Sequence, residues 1–166
     1  QALRLSRPLA ATPPEPAVEL TARQVRISRD GRAAVFTGRP AADSAGPERI
    51  YHRLGEQLHE LSAEVGALEP GSASFTDPVI SGDGTRAAMV ASSGQIYAVR
   101  VNLGEPQLLS RSAAGVAGNS PSAAPMMGLD GTRVVFESQA SNLVVNDGNG
   151  SVSDIFVKNL GNEDIE

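Results

Sequence analysis

The sequence predicts an all-β protein in which one antiparallel sheet occurs three times. Asp-Gly pairs recur at Asp30-Gly31, Asp83-Gly84 and Asp130-Gly131, at spacings of 53 and 47 residues. Each pair lies between two short apolar runs, which is typical of a tight turn joining antiparallel strands. Because the flanking positions repeat as well, the three stretches are interpreted as copies of one structural unit.

The repeated positions extend on both sides of each Asp. An apolar residue stands three positions before the Asp and another six positions after it, and an aliphatic–aromatic pair and a Leu-Gly turn follow. The aliphatic–aromatic pairs are Ile50-Tyr51, Ile96-Tyr97 and Ile155-Phe156, and the Leu-Gly turns are Leu54-Gly55, Leu103-Gly104 and Leu160-Gly161. A period of roughly 40–50 residues with four short strands is typical of the blades of a β-propeller. We therefore expect three four-stranded antiparallel blades.

The repeats divide the chain into four segments. Residues 1–16 are expected to form a strand, over residues 2–7, followed by a proline-rich linker. The three blades are expected at residues 17–67, 68–115 and 116–166. Closed propellers usually have four to eight blades, so the chain is interpreted as a partial ring within a longer protein or as half of a six-bladed homodimer. The N-terminal strand would then supply the fourth strand of the last blade, unless the chain boundaries have no structural meaning.

Two further segments allow competing interpretations. Apolar residues at helical spacing between Tyr51 and Val65 would fit an amphipathic helix over residues 50–65. The Leu54-Gly55-Glu56 match to Leu103-Gly104-Glu105 instead favours a hairpin turn there, and we expect strands. The acidic residues 163–166 are expected to fray.

The middle repeat contains the pattern Pro78-Val79-Ile80-Ser81-Gly82-Asp83-Gly84, and the last contains Ala140-Ser141-Asn142-Leu143-Val144 and Asp147-Gly148-Asn149-Gly150 ahead of Asp154-Ile155-Phe156-Val157. These motifs resemble the TolB-like, or WD40-like, β-propeller repeat of bacterial envelope proteins over about residues 20–166. The resemblance implies a periplasmic, outer-membrane-associated or secreted protein.

Composition excludes several classes of function. The net charge is −5 and the basic residues are dispersed, so no nucleic-acid surface is expected. The apolar runs are far too short for a membrane span. The absence of Cys excludes disulfides, metal thiolates and thiol catalysis.

One loop has the residue types of a calcium site. Asp147, Asn149, Ser151 and Asp154 alternate along a Gly-containing stretch, and Ca²⁺ accepts six to eight oxygen ligands in flexible geometry. The alternative is an Asn-Gly turn with Asp147 capping the loop locally. The spacing matches no EF-hand.

Two other sets of polar residues are interpreted as structural. Asp30, Asp83 and Asp130 are expected to bind backbone N–H groups within their turns. His52 and His59 are expected to be near cross-strand neighbours at solvent-exposed positions. A metal site there would need a third ligand, for which Glu60 is the adjacent candidate.

No motif for nucleophilic catalysis or phosphate binding occurs. The sequence therefore predicts a non-catalytic module that binds protein partners through its inter-strand loops, chiefly residues 39–49 and 139–153. The alternatives are a propeller domain of a larger hydrolase or lyase with its catalytic residues elsewhere, and a Ca²⁺-dependent propeller that binds glycans or matrix. No cofactor other than this possible Ca²⁺ is expected.

Overall fold

The computed structural model describes residues 19–166, which form three antiparallel sheets and one short helix. The first sheet contains β1 (Leu20–Ile27), β2 (Ala33–Pro40), β3 (Arg49–Leu54) and β4 (Gln57–Glu60), and helix α1 (Ser62–Leu68) follows it. The second sheet contains β5 (Phe75–Ile80), β6 (Arg86–Ala91), β7 (Ile96–Arg100) and β8 (Pro106–Leu108). The third contains β9 (Ser122–Met127), β10 (Arg133–Ser138) and β11 (Asp154–Asn159).

Each sheet is a meander, because every strand pairs with the next strand in the sequence. The predicted all-β class and the partial-propeller architecture are therefore confirmed. The third sheet differs from the prediction, since its described part has three named strands rather than four. The expected N-terminal strand at residues 2–7 lies outside the described residues, and the predicted segment boundaries stay predictions.

The C-terminal residues pair with the outer edge of β11, where the expectation of fraying was wrong. The N–H of Val157 donates to the carbonyl oxygen of Glu166 at 2.7 Å, and the N–H of Glu166 donates back to Val157 at 3.1 Å. The N–H of Asn159 donates to the carbonyl of Asp164 at 2.9 Å. An exposed strand edge offers unpaired backbone groups, and this tail satisfies those of β11.

The segment that allowed two interpretations is a hairpin. Strands β3 and β4 pair across the turn at Gly55, which has a φ of 56° that favours glycine. The helix α1 begins only after this hairpin, at Ser62. Among the apolar residues at helical spacing here, Leu61 and Val65 lie in the core between the first two sheets, whereas Leu54 is 42% exposed. The spacing therefore does not mark one buried face.

Successive sheets pack face to face, and the same repeat positions contribute to the contact each time. We call the surface directed toward the next sheet in the sequence the forward face and the opposite surface the back face. The residue five positions after each turn Asp points forward, as Val35 does toward the second sheet and Ala88 toward the third. The residue six positions after it points back, as do Met89 and Phe136. Two continuous apolar cores result, one between the first and second sheets and one between the second and third.

Small side chains allow the middle sheet to be covered on both faces. Ala87 and Met89 pack against the first sheet, and Ala88 packs against the third, each with no exposed surface. The alternate burial of consecutive residues follows from the two-residue period of a strand. The prediction that this strand is buried on both faces is confirmed.

The innermost strand of each sheet carries a β-bulge at the same repeat position. Gln24, Asp77 and Ala124, each three residues before the apolar residue that precedes the Asp-Gly turn, have φ values of 51°, 49° and 49°. Residues with a side chain rarely adopt this left-handed conformation, which costs about 1 kcal/mol or more. Its threefold recurrence shows that the bulge belongs to the repeated unit.

Candidate functional site

The predicted partner-binding loops lie at one end of the sheets, opposite the Asp-Gly turns. This follows from the antiparallel order, because β2–β3 and β10–β11 connect at the ends remote from the β1–β2 and β9–β10 turns. The two loops, residues 41–48 and 139–153, therefore face the same side of the molecule.

The first loop is anchored by one buried carboxylate. Glu48 accepts a hydrogen bond from Arg39 at 2.8 Å and forms a closer ion pair with Arg23. Its backbone N–H donates to the hydroxyl of Ser74 in the crossover that leads to the second sheet. Since Glu48 is only 9% exposed, these partners hold the base of the loop, while most of residues 41–47 are exposed.

The second loop is anchored by apolar burial. Ala140 and Leu143 are each 1% exposed in the core between the second and third sheets. Asn142 donates to the carbonyl of Ala117 at 2.9 Å and accepts from the N–H of Asn119. Val145, by contrast, is 89% exposed, so the loop presents an apolar side chain to solvent from a fixed base.

The structure brings three of the four predicted calcium ligands together. Asp147 accepts hydrogen bonds from the N–H groups of Asn149 and Gly150 at 3.1 and 3.2 Å, and the Asn149 amide donates to Asp154 at 3.0 Å. Asp147, Asn149 and Asp154 line an open cavity of about 440 Å³. Ser151 is exposed and is not among the residues that line this cavity.

This geometry contains features of both interpretations of the loop. The two N–H groups on Oδ1 of Asp147 form the local turn, whereas its Oδ2 atom is buried without a hydrogen-bond partner. Within residues 19–166, no group of three or more His, Cys, Asp or Glu side chains is arranged to hold a metal ion. Calcium binding by Asp147, Asn149, Ser151 and Asp154 stays a prediction.

His52 and His59 are directly opposite each other on β3 and β4. His52, however, is 6% exposed, so the expectation that both histidines face solvent was wrong for this one. It lies on the forward face of the first sheet, beside Val35. Burial, with a smaller contribution from His59, lowers the pKa of His52 to about 4, and its Nε2 atom has no hydrogen-bond partner.

The other predicted ligand near this pair does not complete a metal site. Glu60 accepts from the hydroxyl of Ser62 at 3.0 Å and lies 3.8 Å from Arg49. The carboxylate nearest His59 is that of Glu64, at 3.7 Å. His52 is therefore part of the packing of the first sheet, whereas the side chain of His59 is half-exposed beside α1.

The three turn aspartates have the structural role expected of them. Ser28 and Ser81 donate their hydroxyls to Asp30 and Asp83 at 2.7 and 2.5 Å. The backbone N–H two residues after each Asp donates at 3.0 Å, from Arg32, Thr85 and Thr132. These donors stabilise each carboxylate in the turn, which leaves it unsuited to act as a base.

The pKa of each turn carboxyl is lowered accordingly. For Asp30 the main cause is the N–H of Arg32, and for Asp130 it is the N–H of Thr132. Burial alone would raise the pKa of Asp83, but the donors from Ser81 and Thr85 outweigh it.

A groove along the innermost strands was missed by the sequence analysis. Its volume is about 470 Å³, and it lies between β1, β5 and β9. Ile27 and Met126, 62% and 70% exposed, contribute apolar surface, and Arg26 and Asp77 contribute one charge of each sign. Extending the repeat alignment three residues upstream, to Gln24, Asp77 and Ala124, would have pointed to this surface.

The bulges shape the groove and fix its carboxylate. The side-chain amide of Gln24 donates to Asp77 at 2.7 Å, and the N–H of Asp77 donates to the amide oxygen of Gln24 at 3.3 Å. The hydroxyl of Thr37 donates to the same oxygen at 2.7 Å. Residues from two adjacent sheets thus hold Asp77 at the groove, with no nucleophile–base pair beside it among the lining residues.

Known structures share this arrangement of sheets. TolB from Acinetobacter baumannii aligns over 90% of this chain and 33% of its own, at 16% identity and a TM-score of 0.56. The β-propeller domain of the Trilobed protease from Pyrococcus furiosus aligns over 89% of this chain and 41% of its own, at 11% identity and a TM-score of 0.56. The chain has the fold of a β-propeller segment. The TolB-like resemblance is thereby confirmed at the level of the fold.

An oligogalacturonate lyase from Vibrio parahaemolyticus is also similar, at 14% identity and a TM-score of 0.52, over 84% of this chain and 37% of that one. The propeller segment thus spans well under half of the structures named here. No protein-family model matches it, and the search of curated proteins found no match. Within the described part of the chain, no helix is long and apolar enough to cross a membrane.

Proposed function

We propose that this propeller segment is a non-catalytic module that binds protein partners in the bacterial envelope or outside the cell. The observation that carries the proposal is the groove along the innermost strands, where Ile27 and Met126 expose apolar surface next to Asp77 and Arg26. Concave apolar surface with a few fixed polar groups is typical of binding sites. The location is supported by the similarity in fold to TolB.

The groove favours an extended peptide segment as its ligand. Pro78 and Pro125 line it at equivalent positions of β5 and β9 and offer no N–H group, so binding there would depend on side-chain contacts. Apolar side chains of the ligand would pack on Ile27 and Met126, and a basic group would pair with Asp77. The exposed loops at residues 39–49 and 139–153, at one end of the sheets, would extend the contact.

Selection of peptides from a random displayed library on the immobilised protein tests the proposal. We expect enriched sequences that combine apolar and basic residues. Ile27→Asp and Asp77→Asn should each weaken their binding at least tenfold, and Val145→Asp should weaken ligands that reach the second loop. Leu103→Asp is the matched control, because Leu103 is 63% exposed in a turn between outer strands. No enrichment, or equal binding by all variants, would contradict a binding role.

A second candidate is a propeller domain of a larger hydrolase or lyase whose catalytic residues lie outside this chain. It is favoured by the similarity to the propeller domain of a protease and to a lyase. The complete reading frame distinguishes the two functions, because an adjoining catalytic domain with a nucleophile elbow would favour the enzyme.

A further inference from the structure

Two arginines lie directly opposite each other on β6 and β7 of the middle sheet. The register pairs Arg86 with Arg100, and both belong to the forward face, because they alternate with Ala88 and Ala98, which pack toward the third sheet. Like charges directly opposite each other destabilise a sheet. The other two sheets have no such pair at these positions, which hold Ala33 and Leu54 in the first sheet and Arg133 and Asn159 in the third.

A cavity of about 280 Å³ lies between this arginine pair and the third sheet. Both arginines line it, together with Leu160 and Glu163, which follow β11. Its two walls belong to sheets that pack on each other within the chain, and it shares no lining residue with the groove along the innermost strands. Its volume corresponds to roughly nine water molecules, which suits a small organic anion.

The side chain of Arg86 is held in place but has no ionic partner. A Cβ atom on Gly131 would lie 3.2 Å from its Cδ atom, so the turn of the third sheet packs on its aliphatic part. Within residues 19–166, its guanidinium makes no hydrogen bond or ion pair. Its charge acts on Asp83, but that carboxylate already accepts hydrogen bonds from Ser81 and Thr85. Arg86 therefore offers fixed donors to the cavity.

The two carboxylates that line the cavity leave room for a third. Glu163 is already engaged, because one oxygen accepts from Arg111 at 2.6 Å and the other from the amide of Gln107 at 3.3 Å. Glu105 lies 3.4 Å from Arg100, and the two side chains are 63% and 50% exposed. An ion pair as exposed as this contributes little to stability. An incoming carboxylate can therefore displace Glu105 from Arg100.

We propose that Arg86 and Arg100 bind the carboxylate of a small anion in this cavity. The planar fork of a guanidinium matches the two oxygens of a carboxylate. Opposite residues of an antiparallel pair have Cβ atoms about 5 Å apart, so both forks reach one ligand. Binding would also remove the repulsion between the two arginines. A free organic anion and the C-terminus of a peptide both carry this group, and the site is independent of the proposed groove.

Titration with malonate, a small dicarboxylate, tests the site by NMR of the isotopically labelled protein at constant ionic strength. We expect saturable shifts centred on the amide signals of residues 98–100, 105–107 and 160–163. The absence of saturable shifts there would overturn the proposal. Inorganic phosphate serves as the comparison anion, and tighter binding of phosphate than of malonate would overturn the assignment to carboxylates.

Three variants test the roles of the charged residues in the same titration. Arg86→Gln keeps part of the aliphatic chain and should weaken malonate binding at least tenfold. Glu105→Gln frees Arg100 and should strengthen it severalfold. Arg133→Gln is the matched control, because Arg133 has the same repeat position in the third sheet but does not line the cavity, and it should leave the affinity unchanged. Equal affinities of the natural chain and Arg86→Gln would overturn the proposal, as would weaker binding by Glu105→Gln.

A short peptide with a free C-terminus, compared with its amidated form, distinguishes the two sources of the carboxylate. Binding tighter than that of malonate, lost on amidation and in Arg86→Gln, would support the C-terminus of a peptide. Malonate binding without binding of the peptide would support a free anion. Equal binding of the free and amidated peptides at this cavity would contradict recognition of a carboxylate.

Discussion

The backbone N–H of Asp83 donates a hydrogen bond to the carbonyl oxygen of Leu129, with 3.0 Å between the two atoms. On the other side of the middle turn, the N–H of Arg29, one position earlier in its repeat, donates to the carbonyl of Gly82 at 2.9 Å. The three Asp-Gly turns are thus joined in series, and the turn of the middle sheet is bonded on both sides. The turns therefore connect sheets as well as strands.

Replacing the middle carboxylate should lower stability. Asp83→Ala removes the acceptor for the hydroxyls of Ser81 and Thr85 and for the N–H of Thr85, and we expect the free energy of unfolding to fall by about 1–2 kcal/mol. Asp83→Asn keeps an acceptor oxygen and should lower the free energy of unfolding by a smaller amount. Urea denaturation at pH 7 measures both. Because the pKa of Asp83 is lowered in the folded protein, its contribution is present above about pH 4 and is lost at lower pH.

The close contact between turns makes Gly82 sensitive to any side chain. A Cβ atom at this position would lie 2.7 Å from Cδ2 of Leu129 and 3.0 Å from its carbonyl oxygen. We expect Gly82→Ala to lower the free energy of unfolding by about 1–3 kcal/mol. The matched control is Gly66→Ala in α1, where a Cβ atom meets nothing within 4 Å and helix propensity should raise stability by up to about 1 kcal/mol. A Gly82→Ala variant as stable as the natural chain would contradict the close contact with Leu129.

Buried His52 should make the protein less stable in mild acid. The unfolded chain binds a proton near pH 6.5, but the folded protein does so only near pH 4. The free energy of unfolding should therefore decrease as the pH falls from 6.5 to 4, by at most about 3 kcal/mol. Thermal melting across this range measures the decrease.

Two variants separate His52 from the other titrating groups. His52→Leu should flatten the pH dependence between 6.5 and 4. His59→Gln should retain most of it, because burial is the main cause of the low pKa of His52 and His59 contributes less. The assignment to His52 fails if both variants melt with the pH profile of the natural chain.

Lys158 should make the protein less stable than an apolar residue of similar size would at this position. Its side chain has no exposed surface and occupies the place that Val99 has in the second sheet, and its ammonium donates to the carbonyl of Glu163 at 2.5 Å. Burial, followed by the charge of Arg111, lowers the pKa of Lys158 against the opposing effects of Glu163 and Asp164. We expect Lys158→Met to raise the free energy of unfolding at pH 7 by about 1 kcal/mol.

The pH dependence and a truncated variant check this explanation. Since the folded pKa of Lys158 is below the unfolded value, the natural chain should gain stability as the pH rises toward about 10, and the advantage of Lys158→Met should shrink. Lys158→Ala should destabilise the protein through the cavity it leaves. Equal losses in the methionine and alanine variants would show that the ammonium stabilises the fold.

Calcium should raise the melting temperature if the loop around Asp147 binds it. The expected increase follows from ligand binding to the folded state alone, and it should disappear in Asp147→Ala and Asp154→Ala and be absent with Mg²⁺. The Oδ2 atom of Asp147 is buried without a hydrogen-bond partner, which makes it the candidate ligand atom of this carboxylate. Identical melting with and without Ca²⁺ would leave the loop as a hydrogen-bonded turn.

The parts of the fold that local chemistry determines could be predicted from the sequence. The Asp-Gly turns and the hairpin at Gly55 were found because turn residues and alternating apolar residues carry their own conformational preferences. The buried strand around Ala88 was found because the run Ala87-Ala88-Met89-Val90 is uncharged and rich in small side chains.

The remaining features depend on contacts between distant segments. The burial of His52 follows from the sheet packed against β3, and the pairing of Glu166 with Val157 joins two segments across a turn that no local pattern specifies. The groove is formed by three strands about fifty residues apart in the sequence. A single sequence shows which residues repeat, but not which of them share a surface.

The forward-to-back packing of the sheets has a consequence for how such a chain can change in length. Each sheet packs its forward face on the back face of the next sheet through the same repeat positions, such as Val35 in the first sheet and Ala88 in the second. Duplicating or excising one whole unit, from crossover to crossover, therefore creates a junction of a kind already present, whereas an insertion inside a unit does not. Gain or loss of whole repeat units is therefore the change in length that this architecture tolerates best.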